Sequence, residues 1–187
     1  MSLRKTIEVV ARLAAQGVIE RYAITGAVAA LNYIEPMLTQ DLDVLVAVGA
    51  FEKRESGLIL LEPIERALAR MGYSKRSDVG IIVEGWPVQF LPVASDLDAE
   101  ALDKAVAIEF RPTGEPSIET HCIRAEHVVA IAVKLGRPKD WARVAEFLEQ
   151  RAVNLQSLKR VLQSHGLIGK WRAFCRRAGI DDPLPVG

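Results

Sequence analysis

The sequence predicts an α+β fold: a small mixed β-sheet with flanking helices, followed by a helical C-terminal part. Two observations carry this. Up to about residue 120, short apolar β runs alternate with segments of helical period, and from Ile123 onward the helical period continues with no clear strand. Length sets the scale. A chain of 187 residues, half of them hydrophobic and 26% charged, can bury a core in one domain or in one domain plus a small appendage. The division this suggests is 1–120 for the sheet-bearing core and 121–187 for the helical region. The boundary is soft, and a single shared core is the alternative.

The elements follow in order. Leu3 to Gln16 sets Ile7, Val10, Leu13 and Ala14 at helical spacing, and Gly17 stops the helix. Tyr22 to Thr25 reads as a buried strand. Gly26-Ala27 turns into a small-residue helix, Val28 to Asn32, and Thr39-Gln40 leads into a second strand, Asp41 to Val48. Phe51 opens a polar linker or short helix with the charge cluster Glu52 to Glu55. Leu61 to Met71 is a helix, with Pro63 tolerated in its first turn and Gly72 just beyond its end. Ile81 to Glu84 and Val88 to Leu91 form a hairpin around Gly85-Trp86-Pro87, with Glu84 as an exposed strand residue. Leu97 to Lys104 is a short helix, Val106 to Phe110 a strand, and Arg111 to Pro116 a loop. Arg124 to Leu135 is helical and Gly136 interrupts it. Pro138 opens the next helix, to about Gln150; Asn154 caps one through Gln163; Leu167 to Ala178 is the last.

Composition narrows the function. The formal net charge is zero, which argues against a wholesale basic surface for nucleic acid. Cys122 and Cys175 show neither metal spacing nor a disulfide framework and suit a reducing cytoplasm as buried or free thiols. No stretch approaches 18 uncharged apolar residues, so neither a signal peptide nor a membrane span is expected. The final helices carry Lys159, Arg160, Lys170, Arg172, Arg176 and Arg177, and the only acids after Arg151 are Asp181 and Asp182. Such a run is usually a solvated face; a surface for RNA or an acidic partner is the alternative.

Asp41 and Asp43 are the strongest site candidates. Successive strand side chains point to opposite faces, so the two carboxylates share one face and Leu42 and Val44 the other. Two carboxylates at that spacing can hold a divalent cation through oxygen ligands. The competing reading is a pair of solvent-facing acids on an edge strand. Asp is disfavoured within strands and two on one face repel each other, a conflict that a metal removes.

The stretch Tyr22 to Val48 resembles the signature of the polymerase-beta-type nucleotidyltransferases: strand, Gly-rich turn, helix, then a strand with Asp-x-Asp. It is similar, more narrowly, to the AbiEii-like toxin nucleotidyltransferases. The matching residues are Gly26, Thr39, Asp41, Asp43, Lys134, Arg137, Lys139 and Asp140, and the resemblance covers roughly Tyr22 to Leu148. It implies a nucleotidyltransferase-like fold and transfer of a nucleoside monophosphate from a nucleoside triphosphate, with Mg²⁺, to an RNA or protein hydroxyl. It implies metal ligation by Asp41 and Asp43, phosphate binding at Gly26 and Ala27, and nucleotide binding by Thr39, Lys134 and Arg137. It also raises an antitoxin protein as partner and a cytoplasmic location. Gly26 would let backbone approach a phosphate at a helix start, against the plain reading of a strand-to-helix turn. Thr39 either bonds backbone or carboxylate, or simply starts the strand. Lys134, Arg137 and Lys139 either reach a triphosphate or form an ion-pair cluster with Asp140.

The sequence also departs from the family pattern. The third carboxylate normally sits in a segment like Val-Asp-Phe-Leu-Pro, and here Val88-Gln89-Phe90-Leu91-Pro92 puts Gln89 at the acidic position. An amide oxygen ligates weakly and takes no proton from a nucleophile; Glu84 could substitute only if the hairpin register brings it to the same face, against its plain reading as an exposed strand residue. Met37 stands where the family has Arg, and Ala27 where it has Gly or Ser. A non-catalytic member that binds nucleotide or a partner protein is therefore the competing function, with a plain RNA-binding module third. Three features read as decoys. Asp96-Leu97-Asp98 reads as a helix N-terminal cap, Asp181-Asp182 as a solvated tail, and His121, His127 and His165 as scattered structural or exposed residues.

Overall fold

The structure is a computed structural model that describes residues 1–35, 39–47 and 61–184. The expectations for Met37, for Val48 and for Phe51 to Glu55 fall outside the described residues. The element order is α1 (Leu3–Ala15), β1 (Arg21–Thr25), α2 (Gly26–Ala30), β2 (Leu42–Ala47), α3 (Glu62–Arg70), β3 (Ile81–Val83), β4 (Trp86–Pro92), α4 (Asp96–Asp103), β5 (Val106–Phe110), β6 (Ile118–Cys122), α5 (Ala125–Leu135), α6 (Pro138–Glu149), α7 (Leu155–Ser164) and α8 (Ile168–Ala178). The strands form one mixed sheet in the order β3-β4-β2-β1-β6-β5. This is the α+β architecture that the alternation of elements predicts.

The centre of the sheet is the antiparallel pair β1–β2, with Tyr22 opposite Val46 and Thr25 opposite Asp43. A hairpin joins each side of that pair in parallel. β4 lies along β2 with Asp43 beside Gln89, and β6 lies along β1 with Ile24 beside Cys122. β3 and β5 are the outer arms of the two hairpins. Residues 42, 44 and 46 of β2 are fully buried on one face, while Asp43 on the other face stays partly open. That alternation is what fixes register, because a one-residue slip would exchange the two faces.

Two elements differ from expectation. β6 is a strand where the sequence suggested none. Its period is two, with Thr120 and Cys122 buried and Glu119 and His121 exposed, but only Ile118 and Cys122 of its five residues are apolar. The pattern is too polar to announce a strand, and pairing with β1 and β5 decides it. Residue 120 thus lies inside a strand, and Val133, Phe147 and Trp171 of the later helices share one buried cluster with Ile24 and Leu42 of the sheet. The β3–β4 turn is Glu84-Gly85 alone, with φ of +51° and +89°, and Trp86 faces Val83 as the first strand pair. Two positive φ values suit a two-residue hairpin whose twist matches its strands. Glu84 is therefore a turn residue, and its carboxylate accepts a hydrogen bond from the Tyr73 hydroxyl at 2.5 Å.

The helix ends follow the residues that signal them. α5 stops at Gly136 in the left-handed region, and Pro138 takes the first turn of α6. Asn154 accepts a bond from the Ser157 N–H and caps α7. Trp171 of α8 is fully buried, and its indole N–H donates to Asp182 at 2.7 Å. Asp182 is thereby a partner of a core residue rather than a merely solvated tail acid.

Candidate functional site

A cleft of about 1020 Å³ opens between one face of the sheet and helices α5 and α6. Gly26, Ala27, Thr39, Asp41, Asp43, Gln89, Lys134 and Arg137 all line it. Strand alternation places Asp43, Gln89 and Thr25 on the same sheet face, because Asp43 is in register with both neighbours.

β2 and the start of α2 approach each other closely. Gly26 has φ of +65°, and a Cβ on it would stand 2.1 Å from Oδ2 of Asp43. Glycine is required there twice, by backbone conformation and by space. Asp41 lies just ahead of β2, where the Thr39 hydroxyl donates to its carbonyl at 3.1 Å and to its carboxylate at 3.3 Å. Thr39 therefore serves backbone and carboxylate together. Burial, and then the charge of Asp41, push the Asp43 carboxyl up to about 6. Lys139, Arg143 and Arg137 of the opposite wall pull it down in part.

The basic residues of that wall are unequal. The Lys134 ammonium donates to Ser95 Oγ at 2.7 Å and lies 3.8 Å from Asp98. Arg137 caps α6 with the buried Asp140: its backbone N–H and its Nε (2.6 Å) bond Oδ2, and its second guanidinium nitrogen bonds Oδ1 at 3.0 Å. Lys139 is exposed and Arg143 is buried. Burial pushes the Arg143 guanidinium below its ordinary value, and Asp140, Asp43 and Asp41 hold it up in part.

Among the described residues, no group of three or more His, Cys, Asp or Glu could by itself hold a metal ion. The donor set is two carboxylates, with the amide of Gln89 beside Asp43. That set fits Mg²⁺ in company with other oxygens, since Mg²⁺ commonly takes one or two carboxylates plus phosphates and water. The mutual repulsion of Asp41 and Asp43, visible in the raised Asp43 value, is what a divalent cation would relieve.

Several features escaped sequence reasoning. Arg143 lines the cleft, and its only local signal is its place three residues after Asp140 on one helix. Asp98 follows the N-cap Ser95 in the first turn of α4, as a capping acid should, but it also lines the cleft and faces Lys134. Glu84, weighed as a substitute for the missing carboxylate, is not among the lining residues. Two of the histidines converge: His127 and His165 both meet Glu100, at 3.4 and 2.6 Å. His121 is exposed and sits edge-on to Tyr22. Both thiols are buried, which pushes Cys122 up to about 12 and Cys175 to about 11.

No protein-family model and no curated protein matches the chain by sequence. Among solved structures it is similar to an antigenic nucleotidyltransferase-like protein from Paracoccidioides brasiliensis, with 15% identity over 94% of this chain and 88% of that one, and a TM-score of 0.59. The fold is nucleotidyltransferase-like. The solution structure of the antibiotic-resistance factor ANT(2'')-Ia matches at 16% identity over 92% of this chain and 91% of that one, with a TM-score of 0.43, too loose to carry shared geometry. Among the described residues no helix is long and apolar enough to cross a membrane.

Proposed function

We propose that the chain is a nucleotidyltransferase that moves a nucleoside monophosphate from a nucleoside triphosphate to an RNA or protein hydroxyl. The observation that carries this reading is the seat of Asp43, pressed against the Gly26 turn on the floor of the cleft with Asp41 beside it. Asp41 and Asp43 would hold Mg²⁺, which, when bound, neutralises charge on the triphosphate. The Gly26-Ala27 turn offers backbone N–H groups to the phosphates. Lys134 reaches the cleft from α5 and Arg137 from the start of α6. A toxin role with an antitoxin partner, in the cytoplasm, belongs to the same reading through the AbiEii-like resemblance.

Gln89 favours a second reading. It stands in register with Asp43, where the family carries its third carboxylate. A neutral amide takes no proton from the acceptor hydroxyl, so a protein that binds nucleotide and transfers weakly or not at all is the alternative. Incubation with each radiolabelled nucleoside triphosphate, Mg²⁺ and total RNA tests the first reading, and calorimetry with the same nucleotides tests the second. Label on RNA or on the protein supports transfer. Binding without label supports the degenerate form, and no binding at millimolar nucleotide removes both.

A further inference from the structure

We propose that Arg143 and Lys139, rather than Lys134 and Arg137, form the part of the cleft that grips a polyphosphate chain. The inference rests on the nucleotide-dependent reading above; the resemblance includes Lys139, whereas Arg143 lies outside it.

Occupancy of the cations decides the matter. Lys134 is already bonded to Ser95 and faces Asp98. Arg137 is already committed to both oxygens of Asp140. Ser95, Asp98 and Asp140 thus already take up part of the donor capacity and charge of those two side chains. Arg143 is different. It is only 9% exposed, it lines the cleft, and its Nε has no hydrogen-bond partner among the described residues. Its nearest acid is Asp140, 3.8 Å from Nη1, beyond hydrogen-bond reach.

A buried, charged N–H without an acceptor is costly, so buried donors are almost always satisfied. Here the unmet donor belongs to a residue of the cleft wall, and the fork of a guanidinium matches the paired oxygens of a phosphate. Lys139 adds a second charge. It lines the same cleft and carries no hydrogen bond or ion pair among the described residues. Lys139 and Arg143 on α6 thus line the same cleft as two carboxylates, Asp41 and Asp43. A polyanion of linked phosphates with a divalent cation complements that pair of charges; a single neutral ligand does not.

The test is calorimetric titration of the full chain with inorganic tripolyphosphate and Mg²⁺. Lys139→Ala and Arg143→Lys should each weaken binding by about 10-fold or more, the loss of one charge-assisted contact. Arg143→Lys keeps the charge against Asp140 while removing the fork; circular dichroism checks its fold. Lys139→Glu, at an exposed position, provides a variant that leaves the core untouched and should weaken binding further. Lys134→Ala should lose less than any of the three. The proposal is overturned by wild type that fails to bind the probe, by Lys139 and Arg143 variants that bind like wild type, or by Lys134→Ala costing more than they do. Absence of nucleotidyl transfer alongside the expected binding order removes the transfer reading and leaves the phosphate grip. Transfer at undiminished rate in the Lys139 and Arg143 variants does the reverse.

Discussion

The carboxylate of Asp43 occupies the space that a side chain on Gly26 would need: a Cβ there would stand 2.1 Å from Oδ2. The strand and the turn therefore constrain each other. Gly26→Ala places a methyl group in that space and a non-glycine residue at φ of +65°. The left-handed backbone alone costs roughly 1–2 kcal/mol, and Asp43 must also move. We expect denaturant unfolding to show a loss of at least about 1 kcal/mol, with a greater proportional loss of Mg²⁺-dependent nucleotide binding by calorimetry. Intact binding in a destabilised Gly26→Ala protein would separate the turn from the site.

Asp43 also predicts a pH dependence. Its folded value is raised to about 6 from an ordinary 3.8, first by burial and then by Asp41. Ionising it therefore costs the fold. Its stabilising contribution is complete below 3.8, fades as pH rises through about 6, and is absent above that. Asp43→Asn should be more stable than wild type at pH 8, on the order of 1–3 kcal/mol, with the advantage shrinking below pH 5. Mg²⁺ affinity of the wild type should rise through about pH 6 and then level. A variant no more stable than wild type at pH 8 would refute the burial cost on which this rests.

The histidine cluster predicts acid lability. Glu100 is held down to about 2, first by the Lys104 ammonium and further by His165 and His127. Its contribution is present above its ordinary 4.5 and is lost as pH falls toward 2. Burial pushes His127 below its ordinary 6.5 against the pull of Glu100, so its neutral form is favoured and it too destabilises the fold as pH drops. Geometry agrees: Nε2 meets Glu100 while Nδ1 is buried without a partner, so a second ring proton would have no acceptor. Glu100→Gln should lower stability at pH 7 and flatten the loss between pH 5 and 3, as read by denaturation across that range. An unchanged acid limb would show that other carboxylates govern it.

What the sequence reveals here is local, and what it hides is tertiary. Gly26, Asp41 and Asp43 are legible because a turn glycine and an alternating strand are short-range patterns. The cap at Asn154 and the first-turn proline Pro138 are legible for the same reason. β6 is not, because polar residues fill three of its five positions and pairing with β1 decides it. The β3–β4 turn is misplaced because Trp86 and Pro87 read as turn residues, whereas both pair with β3. Glu100 and His165 lie 65 residues apart and meet only once α4, α5 and α7 are packed. Arg143 reads as an ordinary surface charge until the cleft wall is built around it.

The last prediction concerns Gln89, which sits beside Asp43 on the cleft face. Two carboxylates suffice for one Mg²⁺ with triphosphate oxygens, so nucleotide binding should survive in the wild type. The acceptor hydroxyl lacks a third carboxylate to receive its proton, and general-base assistance is worth about 10²–10⁴-fold. Gln89→Asp should raise labelled transfer by a factor within that range while changing nucleotide affinity little. A third acid on this face would also push the Asp43 carboxyl higher, so the gain should be larger at pH 8 than at pH 6.5. Asp41→Asn should abolish both metal binding and transfer. Vigorous transfer by the wild type that Gln89→Asp leaves unimproved would mean that another group takes the proton. Asp98, across the cleft at the head of α4, would then be the residue to replace next.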